Sequence, residues 1–181
     1  MKEIRIHARA GQGAITTATI LGHAYFSEGK FPYAFPHFGA ARMGASMNAF
    51  VRVDEKKVRL RSQVYEPDFL IIADATLMRG FNCFTGFKPA GIAIINQEEK
   101  SDIKEISKDQ KVFFVPANRI ALETIGRPIA NTTLLGAFAA ATEEFKLESL
   151  IKAINKRFSE KLAEVNIAAA KKGFEYVKSI L

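Results

Sequence analysis

The chain has 181 residues, 48% of them hydrophobic and 25% charged, the balance of a folded domain and not of a disordered chain. Its net charge of +7 is modest, and no zinc-finger spacing, RNP-like aromatic motif or long Lys/Arg run accompanies it, so no nucleic-acid partner is expected. The lone cysteine, Cys83, cannot build an internal disulfide, a Cys-rich zinc site or an iron–sulfur cluster, because each needs several sulfur ligands or a partner thiol.

The residues from Met1 to Ile4 lead straight into a strand pattern, with no apolar signal core before them. The apolar stretch Leu134 to Ala141 falls far short of the ~20 residues that span a bilayer. The expectation is a cytoplasmic, membrane-free chain folded as a single domain over residues 1–181.

Glu3 to His7 alternates as a strand, and the turn Ala10-Gly11-Gln12-Gly13 follows it. A helix is predicted from Gln12 to Ser27, with Ala14, Ala18, Leu21 and Tyr25 on one face and Gly29 to end it. Strand, glycine turn and helix open a Rossmann-like unit. Phe31 to Gly44 is punctuated by Pro32, Pro36, Gly39 and Gly44 and reads as an apolar loop. Ser46 to Val53 and Val58 to Arg61 both alternate, with a polar turn between them. They read as an inserted β-hairpin.

Three continuous apolar runs come next, Phe69 to Ala73, Ile92 to Ile95 and Val112 to Val115. Strands buried on both faces of a parallel sheet look like this, and the spacing leaves room for connecting helices. Asp74, Asn96 and Asn118 follow the three runs, at the strand ends where an open α/β sheet forms its ligand crevice. The last third carries helical stripes: Leu134, Leu135, Phe138 and Ala141; then Leu147, Leu150, Ile151, Ile154 and Phe158; then Leu162, Val165 and Ala169, continuing toward Val177. The fold class is therefore α/β: a Rossmann-like, mostly parallel sheet with flanking helices, an inserted β-hairpin and a helical C-terminal third.

Residues 1–66 hold ten basic and five acidic residues. Arg5, Arg9, Arg42, Arg52, Lys57, Arg59 and Arg61 could recognise phosphate, or could line a solvated sheet face or a partner interface. The glycine turn opens a helix whose N–H groups and positive end can hold an anion. It also reads as a plain strand-to-helix turn. The full G-x-G-x-x-G spacing and a ribose-binding acidic residue are both missing, which excludes NAD and FAD. His7 and His23 read as packing or surface residues, His37 stands in the apolar loop, and Cys83 lies between Phe81 and Phe84 as a core thiol. No catalytic group and no metal set emerges.

Four segments together resemble one family. They are Ile4-Arg5-Ile6-His7-Ala8-Arg9-Ala10-Gly11-Gln12-Gly13-Ala14, Ala34-Phe35-Pro36-His37-Phe38-Gly39-Ala40-Ala41-Arg42-Met43-Gly44-Ala45, Arg59-Leu60-Arg61-Ser62-Gln63-Val64-Tyr65-Glu66-Pro67-Asp68 and Asn131-Thr132-Thr133-Leu134-Leu135-Gly136-Ala137. The chain is similar over nearly its whole length to the gamma subunit of pyruvate:ferredoxin oxidoreductase, or pyruvate synthase. That resemblance implies a subunit of an enzyme converting pyruvate and coenzyme A to acetyl-CoA and carbon dioxide while reducing ferredoxin. It implies alpha, beta and delta subunits as partners, with thiamine diphosphate and iron–sulfur clusters held mainly by them, and no cofactor bound by this chain alone. It also implies a Rossmann-like domain that helps bind coenzyme A, with Arg9, Gly11, Gln12, Gly13, Arg42 and Asn131 as candidate contacts. Two departures stand out. Ala8 and Ala10 replace glycines usual in the turn and narrow it, and Ala41 replaces a usual glutamate. The rival readings are a gamma subunit for another 2-oxo acid, 2-oxoglutarate or a branched-chain acid, and a stand-alone nucleotide-binding regulatory module.

Overall fold

The computed structural model describes residues 1–38 and 42–181, with Phe38 described through its backbone. Ala41 lies outside the described residues. Among the described residues six strands form one sheet: β1 (Lys2–Arg9), β2 (Phe31–Phe38), β3 (Ser46–Asp54), β4 (Phe69–Ile72), β5 (Ile92–Asn96) and β6 (Lys111–Val115). Five helices accompany them: α1 (Ala14–Ser27), α2 (Ala117–Ile125), α3 (Asn131–Thr142), α4 (Leu147–Arg157) and α5 (Glu160–Lys178). The strand order is β2-β3-β1-β4-β5-β6. The run β1-β4-β5-β6 is parallel, and β3 is antiparallel to both β1 and β2. The chain leaves β1 toward the β2 edge and leaves β4 toward the β6 edge. The carboxyl ends of β1 and β4 therefore flank the switch point, where open sheets of this kind place their ligands.

One sheet face is apolar throughout. Ile4, Ile6, Ala8, Ala49, Val51, Phe69, Ile71 and Ile94 pack there against the helices. The other face carries Leu70, Ile72, Ala93 and Ile95 in its parallel half, covered by Leu77, Cys83, Phe84 and Phe87. The spacing leaves room for helices between β4 and β5 and between β5 and β6, but no α-helix forms in either connection. A short 3-10 turn, Ala75–Arg79, is the only helical element of these two connections. Gly80, Gly86, Pro89 and Gly91 break the first, and the second has only Ile103 and Ile106 as apolar anchors across residues 97–110. Neither can present a continuous helical stripe.

Coil on a sheet face leaves carbonyls to satisfy, and two arginines satisfy them. Arg52 is 1% exposed. It pairs with Glu3 at 2.7 Å and donates to the carbonyls of Ser62 at 2.5 Å and Gln63 at 2.8 Å. Arg5 donates to the carbonyls of Cys83 at 3.1 Å and Thr85 at 2.6 Å, and its Nε donates to His7 Nε2 at 3.1 Å. These two members of the basic cluster are internal staples.

The antiparallel pair inserted beside β1 is β2–β3, which corrects the predicted hairpin. Phe31 to Phe38 is a strand and not a loop, and residues 58–61 form no strand. Pro32 and Pro36 look locally like loop punctuation, but prolines are tolerated on an edge strand, and β2 is the sheet edge. The α5 stripe is also displaced. Its buried positions are Ala163, Asn166, Ala169, Ala170, Gly173 and Val177, while Leu162 is 52% exposed. The cause is the close approach of α5 to α3, where a Cβ on Gly136 would strike the Ala170 carbonyl and one on Gly173 the Thr133 carbonyl. Only small residues fit that seam.

Gly136→Ala should accordingly destabilise the fold despite the better helix propensity of alanine. Overpacking of this kind costs roughly 1–3 kcal/mol, read as a lower urea midpoint. An unchanged or raised midpoint would mean the helices do not meet there.

A second measurement probes the Arg5 side. Burial, with the Arg5 charge beside it, pushes His7 down to about 4, against about 6.5 in the unfolded chain. Between those values the unfolded state binds the extra proton, so stability falls as pH drops from about 6.5 to about 4. His7→Gln should remove roughly 2–3 kcal/mol of that loss. Parallel pH–stability curves for both proteins would count against a neutral His7.

Candidate functional site

β1 ends at Arg9 and α1 begins at Ala14, so the chain reverses within four residues. Gly11 and Gly13 adopt φ of +97° and +78°, the left-handed region that favours glycine. The turn closes on itself: Gln12 N–H donates to the Arg9 carbonyl at 3.0 Å, and Arg9 N–H donates to Gln12 Oε1 at 2.7 Å. A Cβ on Gly13 would also strike the side-chain amide of Asn131. The absence of a side chain there lets the amino ends of α1 and α3 come together.

Asp74 faces the turn from the end of β4. Its Oδ2 accepts from Arg9 Nε at 3.0 Å and Gln12 Nε2 at 2.9 Å, and its Oδ1 accepts from Thr76 N at 3.0 Å and Thr76 Oγ1 at 2.6 Å. Burial opposes ionisation of Asp74. The hydrogen bonds from Thr76 and Gln12 and the Arg9 charge outweigh it and hold the carboxyl below the usual range. Arg9 also donates to the Gly44 carbonyl at 3.2 Å and to Thr76 Oγ1 at 2.9 Å.

Beside this lock lies a cleft of about 810 Å³. Gly11, Gln12, Gly13 and Thr16 line it from the turn and α1, Ala130 and Asn131 from the start of α3, and Asn118 from α2. Ile129, Phe158 and Leu162 give it an apolar wall. Neither α1 nor α3 has a side-chain cap or an acidic residue in its first turn. Two uncapped helix amino ends therefore open on one cleft, which suits an anion. Among the described residues no acidic residue lines it, and its one cation is Arg127.

Four of the six candidate contacts thus meet at the cleft: Gly11, Gln12, Gly13 and Asn131. Arg9 is committed to Asp74, and the exposed Arg42 sits on the neighbouring turn that ends at Ala45. Neither lines the cleft. Ala8 packs toward the helices and Ala10 pairs with Ala45, so neither alanine narrows the cleft as the sequence implied. Arg127 belongs to none of the sequence motifs. The local signal was its place between Gly126, which ends α2 at φ +77°, and Pro128. His37 is exposed and bonds Gln63. Cys83 is buried, and desolvation pushes its thiol up to about 11. Among the described residues no group of three or more His, Cys, Asp or Glu could hold a metal. Among them, too, no helix is long and apolar enough to cross a membrane.

A mixed sheet with an anion-competent cleft at its switch point defines a Rossmann-like α/β domain. The sequence model of one family, pyruvate ferredoxin/flavodoxin oxidoreductase, matches residues 3–176. The common gamma subunit of the pyruvate/ketoisovalerate oxidoreductases of Pyrococcus abyssi is 47% identical over 178 residues, covering 97% of this chain and 96% of the relative. Pyruvate synthase subunit PorC of Methanothermobacter thermautotrophicus is 44% identical over 180 residues, covering 99% and 98%. The crystal structure of pyruvate oxidoreductase subunit PORC from Thermotoga maritima superposes with a TM-score of 0.82 at 35% identity, over 96% of this chain and 95% of that one. The chain belongs to the pyruvate ferredoxin/flavodoxin oxidoreductase family, as a gamma-type subunit.

Asp74→Ala should release both Arg9 and Gln12. Losing hydrogen bonds to a charged group costs roughly 1.5–3 kcal/mol each. Faster amide exchange at residues 11–13, with a lower unfolding midpoint, is the expected result. Unchanged exchange there would show that Asp74 does not hold the turn.

Proposed function

We propose that the chain is the gamma subunit of a pyruvate:ferredoxin oxidoreductase and that its cleft holds the phosphate-bearing part of coenzyme A. The enzyme would decarboxylate pyruvate oxidatively to acetyl-CoA, carbon dioxide and reduced ferredoxin, with alpha, beta and delta subunits supplying the thiamine diphosphate and clusters. The carrying observation is the cleft itself, where two uncapped helix amino ends and Arg127 converge with no carboxylate among the lining residues. Main-chain N–H groups at the start of α1 and α3 would take phosphate oxygens, Arg127 would neutralise their charge, and the Ile129–Phe158–Leu162 wall would receive an apolar part of the ligand. Arg9 holds the turn in shape through Asp74 and does not contact the ligand.

A second reading concerns the 2-oxo acid. The Pyrococcus relative is named as common to pyruvate and ketoisovalerate oxidoreductases. That name supports a gamma chain indifferent to the acid, because a cleft for coenzyme A serves either reaction alike. On this reading, the same chain assembles into a branched-chain oxidoreductase as well.

The test is made on the assembled enzyme. Arg127→Ala should raise the KM for coenzyme A about tenfold, the equivalent of one lost charged hydrogen bond, with the KM for pyruvate unchanged. Arg9→Ala should instead lower stability. A variant at Arg127 with an unaltered constant for coenzyme A would remove the ligand from this cleft. The isolated chain should give no pyruvate-dependent reduction of a viologen dye, and clear activity from it alone would overturn the subunit assignment.

A further inference from the structure

The free edge of β2 is built against strand pairing. Ala10 N–H donates to the Ala45 carbonyl beside the β1–β3 ladder. By alternation, Met47, Ala49, Val51 and Val53 bond to β1. Asn48, Phe50 and Arg52 then bond toward β2, where their partners are His37, Phe35 and Tyr33. The outward positions of β2 are therefore Pro32, Ala34, Pro36 and Phe38. Two of these four have no N–H to give, so an added strand would find half its acceptors unmatched.

A groove of about 780 Å³ runs along this edge, between α1 and the segment after β3. Pro32 and Ala34 floor it. Phe26 and Phe31 border it at 61% and 46% exposure, more apolar surface than an isolated edge needs. Lys57, Arg61 and Lys156 ring it, and among the described residues no acidic residue lines it. Among the described residues these three cations make no ion pair. The nearby Lys30, by contrast, is paired with Glu55. Arg61 lies 3.8 Å over the Tyr33 ring, which presents its charge at the groove and not in bulk solvent.

We propose that this groove seats an acidic segment of another subunit of the oxidoreductase, one that inserts apolar side chains between Phe26 and Phe31 and is held by side chains and not by strand addition. The proposal rests on the gamma-subunit reading. Charge complementarity carries the choice of partner: uncompensated cations around an apolar floor match carboxylates around apolar tips.

Two measurements on the assembled complex test it. Carbodiimide joins lysine amines directly to carboxylates, so treatment followed by mass spectrometry should link Lys57 or Lys156 to an Asp or Glu of another subunit. Cross-links confined to this chain, or to a second copy of it, would overturn the proposal. The double variant Lys57→Glu, Lys156→Glu changes two exposed residues. It should bind the remaining subunits about tenfold more weakly than wild type and show less dependence on ionic strength. Binding within about twofold of wild type would also overturn it while leaving the gamma-subunit reading intact. A wild-type chain that fails to bind the other subunits at all would overturn both.

Discussion

Two buried guanidinium groups hold this structure together. Arg52 and Arg5 rise from the sheet face that no α-helix among the described residues covers, and they donate to the carbonyls of the irregular segments lying there. A buried carbonyl without a donor is costly, and a helix would have satisfied its own. The irregular segments at residues 60–63 and 83–85 cannot, so the sheet supplies the donors instead. Arg52 also places the segment that forms one wall of the edge groove, and Arg5 shapes the cavity around His7. Charge that looks in the sequence like a ligand-binding surface is in part the means by which coil becomes a layer.

A second division of charge governs the switch point. Asp74 takes up Arg9 and locks Gln12, so the glycine turn is held rigid by a pair whose charges cancel. Arg127 is left on the cleft without a carboxylate among its lining residues. The cleft exists because α1 and α3 start side by side, which depends on Gly13 having no side chain and on the small-residue seam between α3 and α5. Packing far from the turn thus sets how two helix ends converge on one cleft.

Much of this was legible from residue order alone. The glycine turn, α1, the three buried strands β4, β5 and β6, and the polar residues at their ends follow from local pattern, because continuous apolar runs and left-handed glycines leave few alternatives. The family resemblance rested on the glycine turn together with the motifs at residues 34–45, 59–68 and 131–137. Tertiary structure decided the rest. Only the pairing of β2 with β3 turned a proline-rich aromatic stretch into an edge strand, since proline forbids a central place but allows the rim. Only the close approach of α5 to α3 moved its buried stripe from Leu162 to Ala163. Above all, arginine looks the same in sequence whether it is spent on a carboxylate, on coil carbonyls or on open space. The folded chain spends Arg9, Arg5 and Arg52 internally and leaves Arg127 at the cleft, because what a charge can do depends on which groups three-dimensional packing brings within hydrogen-bond reach.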